Sequence, residues 1–178
     1  NLKEQELGTC LSDKDSDHDG LDDNDELNRE TKPLEEDTDG DGALDGWEVA
    51  NNYDPLVFND SFSISKTLED GSLSVSVRTN TSGENLDSLS IEPIETLSLN
   101  KDIPGYIGSA FDFAIDGTIE QATISFSFDS SLLETENFDP VIYYFNEETQ
   151  LLEPLETTVS GNTASTTVTH FSSYILLN

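Results

Sequence analysis

From residue 61 onward, small polar residues alternate with apolar or β-branched ones. The period of two runs through "SFSISK", "SLSVSVR", "SLSIEPIE", "FDFAID", "ATISFSFD", "PVIYYFN", "LLEPLE" and "TASTTVTH". Turn signals such as "EDG", "IDG", "NEETQ" and "SGN" separate these runs. Side chains two apart share one face of a strand, so the pattern predicts a series of short strands, each with one buried face. With almost no helical periodicity over residues 61–178, the expected fold is an antiparallel β-sandwich. Phe113, Ile119, Ile124, Phe126, Phe128, Ile142, Tyr144 and Val168 are its expected core, and Pro93 marks a strand at an edge or a bulge. Tyr174, Ile175, Leu176 and Leu177 close the chain as a final strand.

Residues 1–60 follow a different rule. Two twelve-residue stretches, "DSDHDGLDDNDE" (15–26) and "DTDGDGALDGWE" (37–48), repeat 22 residues apart and satisfy D-x-D-x-D-G followed by five residues and Glu. The spacing suits a hard cation. Oxygens at positions 1, 3 and 5 wrap one side, Gly at position 6 makes the turn, and the carbonyl at position 7 adds a ligand. Position 9 acts directly or through water, and Glu at position 12 closes the sphere. The first loop therefore offers Asp15, Asp17, Asp19, the Leu21 carbonyl, Asp23 and Glu26 around Gly20. The second offers Asp37, Asp39, Asp41, the Ala43 carbonyl, Asp45 and Glu48 around Gly42. An all-oxygen set selects Ca2+, at least two ions, over zinc or copper. Asp13, Asp54 and Asp60 are candidate extra ligands, and His18 should point outward. "DELNRE" and "GWEVANNY" can form short helices leaving the loops, whereas Pro33 discourages one entering the second. Leu27, Trp47, Val49 and Tyr53 are the expected small core between the repeats. The overall expectation is a mostly β chain: a calcium-loop module with short helices over 1–60, then the sandwich over 61–178.

Charge sharpens this division. The formal net charge is −31, and more than half of the 38 acidic residues lie in residues 1–60. Such a field repels nucleic acid and anionic lipid, so cations are the natural partners. No apolar run is long enough to span a bilayer, and no membrane insertion of this segment is expected. The single cysteine, Cys10, cannot form an internal disulfide. With no methionine, the chain reads as a piece of a longer polypeptide whose neighbouring domains are expected partners.

Enzymatic equipment is sparse. Residues 61–178 hold one histidine and two lysines, Lys66 and Lys101, with no Gly-rich phosphate loop and no GxSxG elbow. One constellation stands out: His170, Phe171 and Ser172, near the end. In extended chain His170 and Ser172 share a face. An imidazole within reach can take the Ser172 proton, letting the hydroxyl oxygen attack the Phe171 carbonyl in an N-to-O acyl shift. Hydrolysis of the ester would leave Ser172 as a new amino terminus, a single self-cleavage rather than turnover of other substrates. The plain alternative is a final strand with a surface histidine and no chemistry.

Residues 13–60, with "NNYDPL" after the second loop, resemble the bacterial repeats similar to thrombospondin type 3, which implies an extracellular setting. The stretches "GSAFDFAIDGTIEQATISFSFDSSLL" and "DPVIYYFNEETQLLEPLETTVSGNTASTTVTHFSSYILL" resemble a second family. Its members are the autoproteolysis-inducing (GAIN) domain of adhesion receptors, the function-to-find domain of inflammasome sensors, and the ankyrin and netrin-receptor sandwiches. That resemblance implies cleavage at His170, Phe171 and Ser172. Similar "THFS-x-Y" endings precede von Willebrand factor A domains in bacterial surface proteins. Together these imply a secreted or cell-surface fragment that binds calcium and cuts itself, or an adhesive or purely structural module of the same two parts.

Overall fold

A computed structural model of the chain describes residues 13–79, 83–94 and 105–178. Cys10 and Lys101 lie outside these residues. The chain divides into two compact units, Asn1–Phe62 with Asn80–Asp87, and Ser63–Thr79 with Ser88–Asn178.

In the first unit two loops each lead into a short helix, α1 (Asp23–Arg29) and α2 (Asp45–Ala50). Its apolar centre differs in part from the expected one. Leu21, Ala43 and Trp47 are buried, whereas Leu27 is exposed and Val49 and Tyr53 are half-buried. Leu27 directly follows Glu26, which points into the loop, so it sits about 100° further round the helix and turns outward. Trp47 stacks on Tyr53 (5.7 Å between ring centroids) and meets Phe62 edge-on (5.5 Å), a packing role for the indole.

The second unit is a β-sandwich of two antiparallel five-stranded sheets. One sheet has the order β1-β2-β5-β9-β8, from β1 (Phe62–Thr67), β2 (Leu73–Thr79), β5 (Gln121–Ser127), β8 (Thr158–Ser160) and β9 (Thr163–Val168). The other has the order β3-β4-β10-β6-β7. Its strands are β3 (Ser90–Pro93), β4 (Tyr106–Ala114), β6 (Val141–Asn146), β7 (Leu151–Pro154) and β10 (Ser173–Leu177). Alternation does what it should: Leu73, Val75 and Val77 of β2 and Ala122, Ile124 and Phe126 of β5 are buried, while the intervening residues are not. Phe111 of β4 meets Phe126 of β5 across the sandwich at 6.0 Å. Pro93 and Pro154 sit on edge strands, where a missing N–H costs no ladder bond.

Strand β10 departs from simple alternation. Tyr174, Ile175, Leu176 and Leu177 are all buried, because β10 is the central strand of its sheet and both its faces are covered. Ile175 and Leu177 pack with Ala110, Ile94, Tyr143 and Leu152. Among the expected core residues, Ile119 and Tyr144 are only half-buried. Tyr144 carries a hydroxyl that bonds Glu153 (2.7 Å), which keeps its end at the polar boundary.

Candidate metal centre

The two loops share one hydrogen-bond plan. At position 1, the Asp15 carboxylate accepts from the N–H groups of His18 (2.7 Å) and Gly20 (3.1 Å). Asp37 accepts in the same way from Gly40 (2.7 Å) and Gly42 (2.9 Å). At position 3, Asp17 and Asp39 take the N–H of Asp19 and Asp41, each through Oδ1. At position 5, Asp19 and Asp41 take the N–H of Leu21 and Ala43. The curl this requires puts Gly20 and Gly42 at φ +96° and +95°, a region glycine occupies without steric penalty. Position 4 is left-handed too; the second loop uses Gly40 there, and the first accepts His18 at φ +71°.

The carboxylates so pinned leave oxygens without partners. Asp17 Oδ2 and Asp39 Oδ2 are buried and unbonded, as are Glu26 Oε1, Glu26 Oε2 and Glu48 Oε2. Glu26 and Glu48 sit three residues after the first residue of α1 and α2, one turn along, so each faces back into its own loop. Both side chains are fully buried. Burial first, and the aspartates around them second, push each carboxyl up to about 8. Asp17 and Asp39 are raised for the same two reasons. Among the described residues, the ion pairs near the loops join Lys14 to Asp22 and Lys32 to Glu35, and His18 Nε2 lies 3.6 Å from Asp13. None neutralises the inward-facing carboxylates. A buried, unpaired carboxylate is among the most costly groups a fold can hold, and a cation at the focus of its oxygens removes that cost.

Three carboxylate groups are close enough to share an ion, their oxygens within 4.8 Å of one another: Asp15, Asp17 and Asp19; Asp37, Asp39 and Asp41; and Asp19, Glu26 and Asp45. The structure thus gathers the residues expected at positions 1, 3 and 5 of each loop. Asp23, expected as a direct or water-mediated ligand, also clasps the start of its own loop. Its two oxygens accept from the N–H and Oγ of Ser16 at 2.8 and 2.9 Å. Asp45 holds Thr38 in the same way at 2.8 and 2.6 Å. Asp13, Asp54 and Asp60 stand apart from the three groups: Asp13 faces exposed His18, Asp54 accepts from the Leu56 N–H, and Asp60 is exposed.

Sequence reasoning missed Asn59. Its N–H donates to Asp41 Oδ2 (2.8 Å), and its amide nitrogen lies 3.4 Å from both Asp41 Oδ2 and Glu48 Oε1. In the first loop the matching oxygen, Asp19 Oδ2, accepts from the Gly46 N–H (2.9 Å). The spacing of the repeats carried no signal for either donor.

Compared with protein-family models, with curated proteins and with solved structures, the chain has no significant match.

In the His-Phe-Ser stretch the imidazole and the hydroxyl point to different partners. His170 is exposed, its ring edge-on to Tyr144 at 5.6 Å. The Ser172 hydroxyl donates to the Phe145 carbonyl (2.9 Å), and among the described residues no hydrogen bond joins it to the His170 ring. Phe171 stacks on Phe113 at 5.6 Å, and the Tyr174 hydroxyl donates to the His170 carbonyl at 2.7 Å. Strand β10 begins only at Ser173, so the rule that residues i and i+2 share a face does not apply at 170–172.

Proposed function

We propose that the first unit is a calcium-binding module, holding at least two Ca2+ ions, and that the chain acts as a metal-stiffened structural element of an extracellular or bacterial cell-surface protein. The carrying observation is a pair of fully buried glutamates: both Glu26 oxygens and Glu48 Oε2 lack a protein partner, and Glu26 shares a carboxylate cluster with Asp19 and Asp45. Carboxylate-only donors suit hard cations. Several protein oxygens per loop suit calcium, whose shell is large and flexible, better than magnesium, which retains waters and demands an octahedron. Extracellular calcium reaches concentrations that would keep such loops filled, and neighbouring domains are the expected mechanical partners.

The sandwich, in this reading, contributes shape rather than bond-breaking chemistry. What supports this is the commitment of the Ser172 hydroxyl to Phe145 and the outward position of His170. Isothermal titration of the full chain with CaCl2 tests the proposal. At least two ions should bind, and the double substitution Glu26→Gln, Glu48→Gln should abolish most of that binding. Absence of calcium binding to the unsubstituted chain refutes it.

A further inference from the structure

The two loops look like copies, yet their surroundings are not equivalent. Asp19 and Glu26 of the first repeat and Asp45 of the second bring carboxylate oxygens within 4.8 Å of one another, and all three side chains are buried. Both Glu26 oxygens are without a hydrogen-bond partner there. The neighbouring residue, Gly46, donates its N–H to Asp19 Oδ2. A Cβ at Gly46 would lie 2.4 Å from the Asp19 carbonyl oxygen, so α2 starts directly against the first loop.

Among the described residues, the second loop borrows no comparable carboxylate. Its cluster is Asp37, Asp39 and Asp41, and the extra donor at Asp41 comes from Asn59, further along the chain. The charges that bear most on Glu48 come from its own repeat, Asp37, Asp39, Asp41 and Asp45, whereas those that bear most on Glu26 include Asp45 from the other. Asp45 also clasps Thr38, which sits between two second-loop ligands. Ordering of the second loop therefore fixes Asp45, and Asp45 faces the first.

Resting on the calcium reading above, we propose that Asp45 is a shared residue that completes the first loop's cation site, so that calcium binding in the first loop depends on the second loop but not the reverse. The consequence is an ordered fill: the second loop loads, sets Asp45 and α2, and the first then gains its full set of carboxylates.

The test is a CaCl2 titration of the full chain followed by NMR at the Gly20 and Gly42 amides. Each donates to the first aspartate of its own loop, so each reports its own site. Asp15→Ala should impair the Gly20 response alone. Asp37→Ala should impair both. Asp45→Asn, which retains an acceptor for Thr38 but removes a charge, should weaken the first loop at least about tenfold and by more than it weakens the second. The proposal is overturned if Asp37→Ala leaves the Gly20 curve unchanged, or if Asp45→Asn weakens only the Gly42 response. A flat response at both glycines in the unsubstituted chain refutes calcium binding itself, and this dependence with it.

Discussion

Removing calcium should make the first unit depend on pH in an unusual direction. A carboxyl whose folded-state pKa exceeds its unfolded value binds its proton more tightly when folded. Stability then is greatest at low pH and declines as pH rises from the unfolded value towards the folded one. For Glu26 and Glu48 those limits are 4.5 and about 8. Between pH 5 and pH 7 the linkage amounts to about 2–3 kcal/mol per glutamate. Asp17, Asp19, Asp39 and Asp45 are raised as well and act in the same sense. Whole domains are stable by only about 5–15 kcal/mol, so a small module should lose its fold over this interval without metal. Trp47 reports the event without ambiguity, being the only tryptophan and buried against Tyr53 and Phe62. In excess chelator its emission should be blue-shifted at pH 5 and red-shifted at pH 7.5. With saturating calcium it should stay blue-shifted at both, because the ion holds the glutamates ionised and paired. A chelated protein whose emission ignores pH, or shifts to the red on acidification, would refute the argument.

Three further outcomes follow from single contacts. Gly46→Ala places a methyl group against the Asp19 carbonyl and should destabilise the calcium-loaded first unit by about 1–3 kcal/mol, measured by Trp47 emission in urea. Tyr174→Phe removes the bond to the His170 carbonyl from a buried ring and should cost the sandwich about 1 kcal/mol, read as a lower midpoint in a thermal melt. A longer polypeptide extending past Asn178 should keep one intact mass after denaturation. A fragment beginning at Ser172 would show instead that the hydroxyl leaves Phe145 and that the bond breaks.

How much of this was legible in the residues follows the range of the interactions involved. The loop positions were, because ligand geometry over twelve residues is set by local turns: Asp15, Gly20 and Glu26 must stand where their spacing puts them. The strands were too, since a period of two is a property of the backbone itself. Which side of a short helix faces inward was less so; Leu27 is exposed while Leu21 and Ala43 are buried. The clasps of Asp23 on Ser16 and Asp45 on Thr38 span seven residues and carry no established spacing rule. The face-sharing expectation for His170 and Ser172 presumes extended chain, and the strand begins only at Ser173, after both residues. Only the tertiary structure placed β10 at the centre of a sheet with both faces buried, brought Asn59 to Asp41, and turned Asp45 towards Glu26. Those contacts join segments that the sequence spaces freely, and their geometry comes from how whole elements pack, which no local pattern encodes.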